Sequence, residues 1–543
     1  MINSISKKTK EIIQYLENDS KYLFLFCILL MIPAFFINLG LIDFFLHSDE
    51  TTRTLVALEM YISHDFITPT INGLLYMNKP PLYNWILVLF ANIGGFNEFM
   101  LRLPATLSLF ALGFTVYIFV KKEYGKRFAM INALMIVTCG RVLFWESFFT
   151  VIDFTFSAAV YAGIMSVYYF YKRDKYLLMF IISYTFAAVA FMLKGLPAIV
   201  FQGITLVVLL GYDKKIKDFF SVKHLMGIAI FFFLTGSYYL IYMIKNPGTT
   251  IFSVLLDEST KRTVLQNGIS HTIMAMLKFP VDMFYHYLPW SLFIVFLFRK
   301  GFWTSINNNP FLKFNFWVFV ANLCVYWTSP DVYPKYIMML MPMLYTVCWY
   351  FAQKDFEARD IKAGIMGKIV VVMMVVFSIG LFVFPLFRDI HYIDYYYTKA
   401  IFLFLLTTVV LFLFVKLRNQ RIILTIAFLL LIRIAFDWVI WPIRYEKFIN
   451  LKKEAIEVAK MTKDKDLYYY TGTKVDRGTS YYISNEKKQI IRFKGNGFSP
   501  GTLCIVDPEG LRALRQTQHT FKNLYDFETL PEGNRLYLIK FNP

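Results

Sequence analysis

The chain has 543 residues, of which 57% are hydrophobic and 17% charged, and its 56 Lys and Arg against 37 Asp and Glu give a net charge of +19. A soluble chain carries about a quarter charged residues, so a soluble enzyme, a disordered protein and a fibrous protein are excluded as classes. In a membrane protein such a basic excess marks connecting segments held in the cytoplasm before it marks any ligand, and nucleic acid is not expected as a partner.

The first apolar run, 22–41, is too long for a signal-peptide core and lacks a small-residue cleavage site, so it reads as a retained first span. Further apolar stretches, most of them about 16–22 residues long, lie at 99–120, 127–143, 152–171, 176–193, 197–212, 225–244, 288–298, 314–328, 335–352, 368–387, 399–415 and 422–441. That predicts a mainly α polytopic membrane protein with about thirteen transmembrane helices, the eighth of them short. Alternate breaks carry the basic residues. They are Lys7/Lys8/Lys10, Lys121/Lys122/Lys126/Arg127, Lys172/Arg173/Lys175, Lys214/Lys215/Lys217, Arg299/Lys300, Lys354/Arg359/Lys362/Lys368 and Lys416/Arg418/Arg421. This alternation puts the N-terminus in the cytoplasm and the C-terminus outside.

Two outer segments are long, about 41–99 and 245–288. The first is apolar but broken by charges and by Lys79-Pro80-Pro81, a pattern of helices lying in the interface. Asp49-Glu50 followed by Leu55, Val56, Leu58, Met60 and Tyr61 predicts an amphipathic helix with its acids at the favourable N-terminus. After Tyr445 the composition changes. A polar helix pattern at 452–463 precedes β-rich runs at Leu467–Tyr470, Tyr481–Ile483, Gln489–Phe493, Thr502–Val506 and Arg535–Phe541, with a helix pattern around Pro508–Arg515. The expected organisation is a transmembrane domain over 1–445 and a small extracytoplasmic α/β domain over 446–543. The five cysteines show no metal or disulfide spacing.

Ionisable residues at membrane depth or at a span's mouth carry the functional signal. On the outer face these are Asp49, Glu50, Arg53, Lys79, Arg102, Arg141, Glu146, Asp153, Lys194, Glu258, Arg262, Asp331, Lys335 and Arg388. Acids and bases are mixed there. Cations suit an anionic lipid-linked phosphate, and a carboxylate suits proton removal from an acceptor. Each has a plainer reading: Asp49, Glu50 and Asp153 as helix caps, Lys194 as a snorkelling lysine. Arg433 and Asp437, four apart on one helix face, read as an ion pair holding helices together.

Three stretches share an order and spacing: Ser48-Asp49-Glu50; His64 to Gly73; and Tyr76-Met77-Asn78-Lys79-Pro80-Pro81-Leu82-Tyr83-Asn84-Trp85. Asn97-Glu98-Phe99 and Arg102-Leu103-Pro104 follow. This resembles the first outer loop of bacterial GT-C glycosyltransferases, near the aminoarabinose transferase of lipid A modification and the protein O-mannosyltransferases. Matches continue at Asp153, Lys194-Gly195-Leu196-Pro197, Pro289-Trp290, and Ser329 to Pro342 around Lys335 and Tyr336. The chain departs from the aminoarabinose branch at Asn78, where that branch has an acid, and at Thr52, where it has an arginine; Arg53 stands one residue later.

The resemblance implies a GT-C fold in the bacterial inner membrane, with the C-terminal domain in the periplasm. It implies an enzyme that moves a single sugar, hexosyl or pentosyl, from a polyprenyl-phosphate donor to a lipid (lipid A-like) or protein acceptor on the outer face. Asp49 and Asp153 match its catalytic aspartates. Lys79 matches the lysine at the donor phosphate, with Arg53, Lys194 and Lys335 as further phosphate contacts. Glu50, Asn78, Tyr336, Glu258 and Arg262 are candidates for substrate binding. Chemically, Asp49 could accept the acceptor's proton in a single inverting displacement, or Asp49 and Asp153 could together hold Mg²⁺ or Mn²⁺; no other cofactor is expected. A transporter or flippase for a lipid-linked sugar, and a ligase using a polyprenyl-diphosphate glycan, are the alternatives.

Overall fold

The computed structural model describes residues 11, 13–248, 268–329, 332–358, 361–386, 393–446, 448–517, 520–531 and 533–542. Apolar runs in this chain become helices because only a helix satisfies every backbone N–H and C=O within one segment in lipid. They are Lys21–Phe36, Glu98–Val137, Ile152–Tyr171, Tyr176–Lys194, Pro197–Tyr212, Val222–Lys245, Pro310–Trp327, Met341–Ala358, Ile361–Val383, Tyr396–Lys416 and Arg421–Glu446. Among the described residues six helices are long and apolar enough to cross a membrane. Their outward faces expose large apolar side chains such as Phe233 and Phe382, as lipid-facing surfaces do.

The expected spans 99–120 and 127–143 are two arms of Glu98–Val137. Gly125 breaks the helix between them with φ 80° and ψ 175°, a conformation open chiefly to glycine. The eighth predicted span is not an α-helix. Trp290–Leu297 is a 3₁₀ segment that reaches about 16 Å, half the hydrocarbon thickness. It lies along Met341–Ala358: Phe293 stacks on Trp349, Phe296 meets Phe356, and Arg299 pairs with Asp355 at 2.5 Å.

The first long connection carries helix Ser48–Ser63, a two-residue hairpin pairing Thr70–Ile71 with Leu74–Leu75, and helix Leu82–Gly94. Asn72 and Gly73 take positive φ at the hairpin turn, the Asn-Gly signature of a tight turn. Glu59 closes it by accepting from Thr70 Oγ1 (2.6 Å), Asn72 N (2.5 Å) and Gly73 N (3.2 Å). The amphipathic helix expected after Asp49 is present. Its polar side does not face water, however: every residue from Glu50 to Met60 is buried.

Part of the cover is the C-terminal unit, whose Arg477 reaches Thr52. Helix Ile449–Met461 leads into a five-stranded sheet in the spatial order Arg492–Lys494, Leu467–Tyr470, Leu503–Val506, Asn534–Phe541, Phe521–Thr529. The first three strands run parallel and the last two antiparallel. Tyr481–Ile483, expected as a strand, lies in helix Arg477–Lys487, because Asp476 caps its N-terminus by accepting from Thr479 N at 2.9 Å. Phe521–Thr529 was not expected; it is a largely exposed edge strand whose sparse apolar pattern hides it. The unit is clamped to the first connection: Lys452 Nζ lies 2.8 Å from Asp43 and 2.7 Å from Glu98, and Tyr482 donates to Glu98 at 2.7 Å. Gly478 sits so close to Phe44 that a Cβ there would collide with the Phe44 carbonyl oxygen.

Candidate active site

At the end of the bundle covered by this unit, four charged side chains from four separate elements converge. Asp49 comes from the first turn of Ser48–Ser63, where the helix dipole favours an anion. Asp153 comes from the first turn of Ile152–Tyr171, and Lys194 ends Tyr176–Lys194. Lys335 lies in the short turn Pro334–Ile337 ahead of Met341–Ala358. The Lys335 ammonium is 2.8 Å from Asp49 Oδ2 and 3.8 Å from Asp153 Oδ2. Lys194 pairs with the other oxygen, Asp153 Oδ1. The row alternates acid, base, acid, base, so each charge has an opposite neighbour.

The row is graded in exposure. The Asp49 side chain is 62% exposed while Lys335 is 6% and Asp153 3% exposed. Asp49 is therefore the member that a substrate reaches first. The protein around Asp49 pushes its carboxyl up, but the charge and hydrogen bond of Lys335, with His47 and Arg53 beyond, outweigh this and hold it below the usual carboxylate range. Asp49 Oδ1 has no hydrogen-bond partner among the described residues.

Arg53 lies one turn beyond Asp49 on the same helix. Its guanidinium donates to the Tyr76 hydroxyl and stacks 5.2 Å from that ring, yet Nη1 is buried without a partner among the described residues. Tyr76 in turn ties down the segment that carries Asn78 and Lys79. Asn78 is exposed and Lys79 half-buried. The first connection rests on Val222–Lys245, whose Tyr238 donates to the Ile67 carbonyl (3.0 Å), and it is tied within itself by Trp85 donating to the Phe66 carbonyl (2.7 Å). Tyr336 places its ring 4.5 Å from the Lys194 ammonium.

Glu50 is positioned differently. It points into the protein and makes a bidentate pair with Arg102 (2.8 and 2.9 Å), both groups fully buried. It also accepts from Thr150 N at 2.7 Å, while Arg102 donates to the Leu39 and Ile42 carbonyls. Its oxygens are thus committed to holding three segments together. Glu258 and Arg262 lie outside the described residues.

Three further residues belong to the site's surroundings. Tyr76 and Tyr83 flank Lys79-Pro80-Pro81 within the stretch that carries the resemblance, where nothing singles them out from their neighbours. Tyr83 is fully buried, and its hydroxyl has no partner among the described residues; burial first, then the charges of Glu50 and Asp153, keep the phenol protonated. Arg477 of the C-terminal unit donates to Thr52 Oγ1, and nothing in sequence links the two.

For a divalent cation between Asp49 and Asp153 the protein offers their two carboxylates, each already paired with a lysine. Lys335 bridges the two carboxylates and Lys194 takes the remaining oxygen of Asp153. Among the described residues there is no group of three or more His, Cys, Asp or Glu able to hold a metal. The positive charges beside the two carboxylates are the ammonium groups of Lys335 and Lys194.

Residues 78–239 match the family described as dolichyl-phosphate-mannose-protein mannosyltransferase. The fold superposes on ArnT from Cupriavidus metallidurans bound to undecaprenyl phosphate with a TM-score of 0.67 and 18% identity, covering 96% of this chain and 98% of that one. The apo state of the same protein gives 0.65 with the same identity and coverage. An uncharacterized protein of Aquifex aeolicus (strain VF5) is 24% identical over 322 residues, 58% of this chain. The match spans 62% of that relative's length.

Proposed function

We propose, from the premise that the chain belongs by fold to the GT-C superfamily of ArnT and the protein mannosyltransferases, that it transfers a single sugar from a polyprenyl-phosphate donor to a lipid or protein acceptor. The observation that carries the reading is the Asp49–Lys335–Asp153–Lys194 row at one mouth of a membrane bundle. The family match and the undecaprenyl phosphate bound to ArnT support the choice of donor class.

In the proposed reaction the acceptor oxygen attacks the sugar's C1. The bond from C1 to the phosphate oxygen breaks and polyprenyl phosphate leaves, so the anomeric centre inverts. The acceptor's proton passes to Asp49. A carboxylate held this low by Lys335 is a weak base. Donor binding corrects this: the incoming phosphate competes for the Lys335 ammonium, and as that contact loosens the Asp49 carboxyl rises towards its ordinary value. Lys335, Lys194, Lys79 and Arg53 then face the charge that grows on the leaving phosphate, where charge-assisted hydrogen bonds are strongest away from water. Asp153 keeps the two lysines in place, and Asn78 and Tyr336 stand where they can meet the sugar.

The basic breaks Lys121/Lys122, Lys172/Arg173 and Lys214/Lys215 gather at the bundle's other end. This supports a cytoplasmic N-terminus and a periplasmic C-terminal unit in a bacterial inner membrane. The unit over 446–543 shapes the acceptor's entrance, an assignment supported by Arg477 reaching Thr52. The test is transfer of labelled sugar from a polyprenyl-phosphate donor in proteoliposomes, with product mass giving the number of sugars added. Donor movement across the bilayer without product would replace this reading with that of a flippase.

A further inference from the structure

A polar cavity of about 390 Å³ opens at the end of the bundle opposite the acid–lysine row. The kink at Gly125 brings Arg127 to it, and the break before the last long helix brings Arg418 and Arg421. Glu17, Glu357 and Trp349 line it too, beside uncharged polar residues such as Asn18, Gln353 and Gln420. Three guanidinium groups face two carboxylates, which leaves an excess of positive charge. The carboxylates are partly engaged: Glu17 accepts from Asn419 N at 3.0 Å and Glu357 from Gln353 at 2.7 Å. Arg127 is held by the Asn419 carbonyl and by Gln420, so it is fixed in place before any ligand arrives. The Trp349 indole is 4% exposed, and its N–H has no hydrogen-bond partner among the described residues. A buried donor left unpaired costs free energy until an acceptor reaches it.

The cavity does not end in protein. Phe356, Arg421 and Ile422 line both it and an adjoining groove whose other walls are almost wholly apolar, among them Leu292, Phe293, Met366, Ile369, Val370 and Met373. Ile369 and Met373 are also exposed on the outer surface of the bundle, where lipid chains run. The 3₁₀ segment Trp290–Leu297 makes the groove: it is thinner and shorter than an α-helix and leaves the side of Met341–Ala358 incompletely covered.

We infer that this cavity and groove together bind a phospholipid, its phosphate among Arg127, Arg418, Arg421 and the Trp349 N–H, and an acyl chain along the groove. The polar end supplies charge complementarity and an unsatisfied donor. The apolar end lies at the depth of lipid chains, and the two are joined by shared residues. Basic pockets between membrane helices take phosphate head groups for this reason. The site lies at the far end from Asp49, so its occupant is distinct from the donor.

The test is native mass spectrometry of the delipidated full chain given phosphatidylglycerol, diacylglycerol of the same chains, or inorganic phosphate. The wild type retains phosphatidylglycerol and not diacylglycerol, and millimolar inorganic phosphate does not displace the lipid. Arg418→Gln combined with Arg421→Gln, and separately Met373→Trp to fill the groove, each reduce retention about tenfold or more. Lys335→Met leaves it unchanged. Met373 is on the outer surface, so its variant folds even if the arginine variant does not. Undiminished retention in Met373→Trp, or equal binding of diacylglycerol, overturns the proposal. Displacement of the lipid by inorganic phosphate also overturns it, in favour of a small-anion site.

Discussion

Lys335 places its ammonium 2.8 Å from an oxygen of Asp49 across 286 residues of sequence, and 3.8 Å from Asp153. One buried cation therefore couples the exposed acid to the buried one.

Lys335→Met removes that coupling. Loss of one preorganised cation at a developing phosphate charge costs about 10²–10³ in kcat. The variant also changes the pH profile in a fixed direction. With Lys335 present the Asp49 carboxyl lies below its unfolded value, so the pair's contribution to stability is full above the unfolded carboxylate range. It is lost as pH falls through the folded value. Without Lys335 the surrounding protein raises the Asp49 carboxyl, so the acid limb of kcat/KM in the residual activity moves to higher pH. An acid limb unmoved in Lys335→Met would contradict the pairing.

Glu50→Gln acts through stability. It leaves Arg102 buried with half its partner and withdraws charge from the Thr150 N–H. Removing one member of a buried pair costs about 3–5 kcal/mol. Thermal melting in detergent should fall sharply, and any properly folded fraction should retain its KM for donor. Normal melting with a raised KM would make Glu50 a substrate contact instead.

Ammonium groups fill the space between Asp49 and Asp153, so turnover should be unchanged by EDTA in excess. Added Mg²⁺ or Mn²⁺ should not raise it. Loss of activity in chelator with recovery on adding a divalent cation would show that the carboxylates separate from their lysines in the working enzyme.

Gly478→Val tests the clamp between the C-terminal unit and the first connection. The new side chain meets the Phe44 carbonyl and the Phe45 ring, and overpacking of this kind costs about 1–3 kcal/mol. The expected outcome is faster proteolysis around 446–466 and reduced acceptor use. Wild-type cleavage and activity would show that the unit is a bystander.

The helices and the first connection were legible in sequence because apolar length and turn chemistry are local. So were Asp49, Asp153, Lys194 and Lys335 as individual charges at one face. Their arrangement was not, because Lys335 meets Asp49 through a tertiary contact with no spacing to betray it. Glu50 and Asp49 are neighbours in sequence, yet one helical step of about 100° sends Glu50 inward to Arg102 and leaves Asp49 at the mouth. The eighth span misled because apolarity sets burial without setting helix type. Tyr481–Ile483 misled because its β-branched and aromatic run is overruled by the Asp476 cap.

The central claim is that Asp49 takes the acceptor's proton while polyprenyl phosphate leaves. It is tested most directly by single-turnover transfer of labelled sugar in proteoliposomes, comparing wild type with Asp49→Asn at saturating donor. The wild type is expected to add one sugar per acceptor. In Asp49→Asn donor binding is expected to be intact and transfer slowed by about 10²–10⁴. Transfer at the wild-type rate in Asp49→Asn would contradict the claim.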